Sequence, residues 1–207
     1  MLSTTVKISN VTNLSDARYC AGMGVEMLGF ALDPGDPQYI APEKFGEIRS
    51  WIAGVQLVGE TKSDDVEEIL RLHNAYPLDV LQVDVPAMIP FLVSELTIPL
   101  LLRIDTDITG TDELASIYRQ YGGHIAYLLL ESSANLPMSG EWEEAIRAFP
   151  DRSNLLLGFG LDDSSQIGRY LETLPVAGIS LRGSEELRPG YKDYGMLMDI
   201  LESLETD

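Results

Sequence analysis

Carboxylates recur in this chain at places that suit acid–base work. Glu60, Asp84, Asp105 and Glu131 each close a short apolar run, and Ser9, Asp33, Gly160 and Arg182 close others like them. If those runs are strands of one sheet, the four carboxylates share a rim. Like charges held close raise one another's pKa values, and a carboxyl near neutrality can give or take a proton. Proton transfer on a small molecule is one chemistry such a rim supports. Binding of a hard cation such as Mg²⁺ or Ca²⁺, which prefers oxygen ligands, is a second. Binding of a cationic metabolite is a third. The plain alternative is a set of strand ends facing water or adjacent loops. No Asp-x-Asp-x-Asp-Gly register sharpens the cation reading, so no metal ligand is assigned.

Lys7 stands two residues before Ser9. Strand faces alternate, so both side chains point inward if one does. A lysine inside a barrel must find a carboxylate, and Glu131 or Asp105 is the expected partner. The Ser9 hydroxyl stays protonated near neutral pH unless a separate base activates it. Gly158-Phe159-Gly160 precede a helix start at Asp162 or Asp163, and Arg182-Gly183-Ser184 close the last apolar run. Backbone N–H groups at a helix start bind anions, and an arginine adds a fork of donors. Gly160, Arg182, Gly183 and Ser184 are therefore the candidate phosphate-binding residues, although Asp162 and Asp163 compete with an anion. His73 falls on an apolar helix face and His124 follows Gly122-Gly123 in a turn. Neither is in register with a Ser or Cys for a triad. Cys20, Trp51 and Trp142 lie in helical segments and are read as packing residues.

The elements that would position these groups alternate. Strands are expected at Val6–Asn10, Met27–Leu32, Val55–Glu60, Leu78–Asp84, Pro99–Asp105, Ala126–Ser132, Leu155–Gly160 and Gly178–Gly183. Runs such as Leu100–Leu102 and Leu155–Leu157 are apolar throughout, as in strands buried on both faces of a parallel sheet. Helices are expected at Ser15–Val25, Pro42–Ile52, Ser63–Tyr76, Ala87–Leu96, Gly110–Tyr121, Ser139–Phe149, Asp162–Leu174 and Asp193–Leu204. The fourth is the weakest, because it holds Pro90. Eight strand–helix units in 207 residues match an α/β protein of the (β/α)₈ (TIM) barrel kind, with residues 1–207 as one domain. An open doubly wound sheet is the alternative. No Gly-x-Gly-x-x-Gly follows the first strand, which speaks against a dinucleotide fold. No cofactor is assigned.

The formal charge of −19, from 33 acidic and 14 basic residues, repels nucleic acid backbones and anionic lipid heads. Neither nucleic acid nor membrane is an expected partner. No stretch reaches the roughly 18 apolar residues of a membrane span, the N-terminal residues show no export signal, and one cysteine cannot form an internal disulfide. The expectation is a cytoplasmic protein, monomer or homodimer, with a small molecule as ligand.

Four segments resemble phosphoribosylanthranilate isomerase, in that family's order. Val6-Lys7-Ile8-Ser9-Asn10-Val11-Thr12, running on to Asp16-Ala17, is similar to K-I-C-G-I-T-x-x-x-D-A. Leu28-Gly29-Phe30-Ala31-Leu32-Asp33-Pro34, with Pro37-Gln38-Tyr39-Ile40-Ala41-Pro42-Glu43, is similar to G-F-x-F-x-P-x-S-x-R-Y-[IV]-x-P-E. Leu78-Asp79-Val80-Leu81-Gln82-Val83-Asp84 resembles L-D-x-V-Q-L-H. Gly158-Phe159-Gly160-Leu161, then Gly183-Ser184-Glu185 and Pro189-Gly190-Tyr191-Lys192-Asp193, resemble G-G-L and S-S-G-[VI]-E-x-x-P-G-x-K-D. The second segment and the closing P-G-x-K-D are the most specific.

The resemblance implies the barrel fold and an Amadori rearrangement in tryptophan biosynthesis. That reaction needs an acid at the ribosylamine ring oxygen and a base at C2. The family's base is a cysteine, at whose position this chain has Ser9. The family's acid is an aspartate, at whose position stands Glu131, one methylene longer. The family's arginine falls at Gln38, its histidine at Asp84, and its glycine-rich phosphate loop is reduced to Met138-Ser139-Gly140-Glu141-Trp142. The family's eighth-strand aspartate falls at Ile179, and its paired serines at Leu181 and Arg182. The expectation is a diverged isomerase-like barrel, weak or inactive in that reaction. Glu131, Ser9, Asp84 and Lys7 are its candidate catalytic residues. A non-catalytic binding barrel, and an enzyme for another small sugar-phosphate-type ligand, stay open. The non-catalytic reading expects neither a perturbed carboxylate nor a ligand-shaped cleft in the mouth.

Overall fold

The apolar runs form the strands expected of them. In the computed structural model, which describes residues 1–150, 154–161, 164–183, 186–188, 191–192 and 195–206, they are β1 (Thr5–Ser9), β2 (Met27–Ala31), β3 (Gln56–Thr61), β4 (Val80–Val83), β5 (Leu100–Asp105), β6 (Tyr127–Glu131), β7 (Leu155–Gly158) and β8 (Gly178–Arg182). All pair in parallel and in sequence order. The ring closes where β1 meets β8, with Thr5 opposite Gly178 and Ser9 opposite Arg182. The chain is a closed (β/α)₈ barrel, and the open-sheet alternative falls.

Helices follow the strands: α1 (Leu14–Gly22), α2 (Pro42–Arg49), α3 (Val66–Ala75), α4 (Ile89–Glu95), α5 (Thr111–Tyr121), α6 (Gly140–Arg147), α7 (Ser164–Thr173) and α8 (Gly195–Ser203). Several start later than their polar signals suggest, because the polar residues cap rather than join them. Asp65 accepts from the N–H groups of Glu67 and Glu68, so α3 begins at Val66. Pro90 does not break α4. It sits in the first turn, after a 3₁₀ turn at Pro86–Met88, where its missing N–H costs nothing. Trp51 lies just past α2 and is 67% exposed, so the expectation that it packs is wrong. Trp142 does pack, edge-on to Phe159. A two-strand hairpin, β9 (Glu186–Arg188) with β10 (Tyr191–Lys192), precedes α8 and was not legible from periodicity.

Strand alternation separates two apolar shells. Val6, Ile8, Leu28, Phe30, Leu81 and Val83 point outward and bury the helices. Met27, Val58, Val80, Leu101, Leu129 and Leu156 point inward and form a separate plug. Two residues further along the strands, the inward positions become Gly29, Glu60, Gln82, Arg103, Glu131 and Gly158. With Lys7 and Ser180 they make a polar ring directly above an apolar floor.

Gly178 lies on the β1–β8 seam that closes the ring. A Cβ there would overlap the Thr5 carbonyl oxygen across the β1–β8 seam. Gly178→Ala is expected to cost about 2–3 kcal/mol and to lower the melting temperature by about 5 °C or more. An unchanged melting curve would mean that the seam is looser than described.

Candidate active site

One buried cation and one partly buried cation organise the mouth of the barrel. Lys7, with no exposed surface, donates from Nζ to Ser9 Oγ and to Glu60 Oε1. The partner is Glu60, not the expected Glu131 or Asp105. The reason is Gly29, the inward residue of the intervening β2. A Cβ at Gly29 would overlap the Glu60 carboxylate and stand 3.1 Å from Lys7 Nζ. The missing side chain lets Glu60 reach across one strand.

Arg103, on β5, is the second cation. Its Nε donates to Glu131 Oε2 at 2.6 Å, its Nη1 to Asp84 Oδ2 at 2.9 Å and its Nη2 to Ser133 Oγ at 3.1 Å, with Asp105 at 3.7 Å. Burial penalises the guanidinium charge, but Asp84, Glu131 and Asp105 outweigh that penalty and hold it protonated. Glu131 is 5% exposed. It folds over Gly158, where a Cβ would lie 2.6 Å from Glu131 Cγ, and its Oε1 accepts from Ser180 Oγ at 3.4 Å. The extra methylene is thus accommodated by a glycine next door.

The expected rim of like charges is therefore mixed. Glu60, Asp84 and Glu131 do line one cleft, but Lys7 and Arg103 lie among them. Asp105 turns toward Ser133 and the N–H of Asp107. Asp33 takes Thr61 Oγ1 at 2.6 Å and the Lys62 N–H at 2.8 Å, which ties two loops together. Among the described residues, no three His, Cys, Asp or Glu side chains are grouped to hold a metal ion.

The cleft holds about 290 Å³ and opens at the C-terminal ends of the strands, where such barrels bind ligands. Ser9, Asp84, Glu131 and Arg182 all face it. The other candidates do not converge so well. Arg182 gives one Nη2 bond, at 2.9 Å, to the Ser132 carbonyl. The Gly183 N–H is engaged by the Ser9 carbonyl at 2.8 Å. Gly160 has φ +67° and passes close to Met138, outside the cleft lining. Ser184, Asp162 and Asp163 lie outside the described residues.

Asp84 has the most altered proton affinity in the cleft. Burial pushes it up to about 6. Arg103 pulls it down, and the charges of Glu131 and Glu60 push it further up. Its Oδ1, like Gln82 Oε1 two residues earlier, is buried without a hydrogen-bond partner among the described residues. Sequence reading missed Arg103 and Gln82. The alternation rule that paired Lys7 with Ser9 also pairs Arg103 with Asp105 and Gln82 with Asp84, and would have found both.

No family model matches the chain. The chain is 27% identical to the N-(5'-phosphoribosyl)anthranilate isomerase of Syntrophus aciditrophicus (strain SB) over 205 residues, which covers 97% of this chain and 87% of that protein. It is 29% identical to the same-named protein of Geobacter sp. (strain M21) over 200 residues, 92% of each. The solved phosphoribosyl anthranilate isomerase of Thermus thermophilus matches with a TM-score of 0.76 at 22% identity, over 97% of this chain and 98% of that one. The family resemblance read from the motifs is borne out over nearly the whole chain. Among the described residues, no helix is long and apolar enough to cross a membrane.

The raised Asp84 value has a defined effect on stability. The folded state holds a proton that the unfolded chain has already released, so this contribution is complete below the ordinary carboxylate range. It is lost as pH rises through about 6. Asp84→Asn does not titrate. From about pH 5 to about pH 7.5, the unfolding free energy of the variant relative to wild type is expected to move in the variant's favour by roughly 1–2 kcal/mol. Denaturant unfolding at several pH values measures this, and a flat difference would mean that Asp84 titrates as an ordinary carboxylate.

Proposed function

We propose that this chain, whose relatives are phosphoribosylanthranilate isomerases, is an isomerase-type barrel that binds a small sugar-phosphate-type ligand in its mouth and turns over phosphoribosylanthranilate weakly or not at all. The observation that carries the reading is the state of Ser9. Its hydroxyl receives the Lys7 ammonium, and Lys7 is anchored on its far side by Glu60. No carboxylate or imidazole among the described residues hydrogen-bonds to Ser9. A serine so placed is an acceptor with nothing to take its own proton, and it cannot replace a thiolate base at carbon. Glu131 keeps a carboxylate where the resemblance puts the acid. Arg182 faces the cleft, while Lys62 at its rim is paired with Asp36 at 2.7 Å.

A cleft and a carboxylate pushed up to about 6 both favour a working mouth over a bare scaffold. They are the features that a non-catalytic barrel would lack.

The same geometry that disables a serine suits a cysteine. A thiol beside an ammonium ionises readily, so Lys7 would activate Cys at position 9. Turnover is followed by loss of phosphoribosylanthranilate fluorescence, with protein from a host lacking its own isomerase. Wild-type kcat/KM is expected to be about 100-fold or more below that of a relative assayed alongside, and Ser9→Cys is expected to raise it by about 10-fold or more. Wild-type turnover equal to the relative's, or no gain in Ser9→Cys, would sink the reading.

A further inference from the structure

Resting on the reading of a sugar-phosphate-type ligand, we infer that this ligand also carries a carboxylate, which Ser9, Asn10 and Arg182 receive as hydrogen-bond donors on the β1–β8 side of the mouth. Asn10 is the specificity-determining residue of the three. It has φ +60°, and its neighbours fix that shape. The Ser9 carbonyl accepts from the Gly183 N–H at 2.8 Å on one side of β1, and the Val11 N–H donates to the Gly29 carbonyl at 2.9 Å on the other. The chain must turn between these two anchors, and it turns at Asn10. Glycine adopts a positive φ without steric cost, and the similar K-I-C-G-I-T segment has glycine at this place. Asparagine tolerates that backbone better than most residues, but it still adds a side chain there. A residue held in a sparsely populated conformation beside a ligand cleft points to function when the fold makes no use of its side chain. Asn10 lines the cleft half-buried, and its amide has no hydrogen-bond partner among the described residues.

The groups beside that amide are donors as well. Ser9 accepts from Lys7 Nζ, so its own O–H remains to be given, and no acceptor among the described residues takes it. Arg182 is the residue opposite Ser9 in the β1–β8 pairing and lines the same cleft. It is the one cation of the described cleft lining without a carboxylate partner. Arg103 is paired with Glu131 and Asp84, and Lys62 with Asp36, whereas Arg182 gives a single bond, at 2.9 Å, to the neutral Ser132 carbonyl. Glu60 is likewise taken by Lys7, and Asp33 by Thr61 Oγ1.

Three donors and one open positive charge suit an acceptor group with one negative charge. A carboxylate is such a group, and hydrogen bonds to it are stronger than those to a neutral oxygen. A sugar phosphate whose sugar is oxidised to the acid satisfies this corner, while the corresponding alcohol leaves the Arg182 charge unmatched. Position 9 is where the isomerase motif has its base. This chain recognises an oxyanion at the place where the motif would remove a proton. A phosphate group has similar oxyanion chemistry, so the test must separate the two.

Calorimetric titration of the whole protein with two probes does so. Ribonate 5-phosphate carries the carboxylate; ribitol 5-phosphate has the same chain with a hydroxymethyl group in its place. Wild type is expected to bind the ribonate about 10-fold or more tightly than the ribitol. Asn10→Gly is expected to lose most of that preference while melting no lower than wild type, because glycine suits the backbone there. Asn10→Asp, which also tolerates a positive φ, is expected to lose it through repulsion between like charges. Arg182→Met is expected to weaken the ribonate alone. Equal binding of the two probes by wild type would overturn the carboxylate and leave the sugar-phosphate reading standing. Ribonate without its phosphate binding as tightly as ribonate 5-phosphate would do the reverse, and binding of neither probe would refute both. Arg182→Met weakening both probes alike would put the phosphate on Arg182 and overturn the proposal. So would an unchanged preference in Asn10→Gly, which would make Asn10 a residue of the fold alone.

Discussion

A buried lysine and a largely enclosed arginine inside the barrel set the terms for everything around them. A buried charge without a counter-charge is among the most costly features a fold can carry. Lys7 and Arg103 therefore dictate where Glu60, Glu131 and Asp84 must be, and through those contacts they link β1, β3, β4, β5 and β6 across the mouth. Within the ring itself the charges balance, with Lys7 against Glu60 and Arg103 against Glu131. Asp33, Asp36 and Asp84 also line the cleft, and most of the net charge of −19 lies outside it.

Glycine makes the pairing geometrically possible. In a barrel of this size the interior is filled by side chains, and long charged groups need room to cross their neighbours. Gly29 stands between Lys7 and Glu60, and Gly158 stands beside Glu131. Each is an inward position left empty so that a glutamate can bend over it. Their value here is the absent Cβ, not backbone freedom, since neither has a positive φ.

The architecture was legible from sequence because parallel strands buried on both faces announce themselves as apolar runs, and eight such runs have few closed arrangements. The boundaries moved by a residue or two where Asp65 and Ser139 cap helices instead of entering them. The site was half legible. Ser9, Asp84, Glu131 and Arg182 were placed in the mouth by their positions at strand ends. Arg103 was not, because attention to strand ends passes over the residue two positions inside. The partner of Lys7 was also misjudged, since one sequence cannot say which side chain will cross a gap. That choice depends on the glycine in the next strand, a relation between three strands that no local pattern carries. Ser184 and the P-G-x-K-D motif fall partly outside the described residues.

The separation between floor and ring explains how such a mouth can change its chemistry without losing its fold. The plug of Met27, Val58, Val80, Leu101, Leu129 and Leu156 is apolar and closed below the ring. It fixes the strands, and each strand then presents its next inward residue whatever that residue is. A substitution at position 9 changes a group that touches Lys7 and the cleft but no part of the floor. The cost of exchanging a thiol for a hydroxyl there falls on reactivity, because Lys7 can still donate to the oxygen and Glu60 can still hold Lys7. Removing Lys7 or Arg103 would be different in kind, leaving carboxylates buried and uncompensated. The chemistry of the mouth is free to drift at the positions that receive hydrogen bonds from the two cations, and is constrained at the cations themselves.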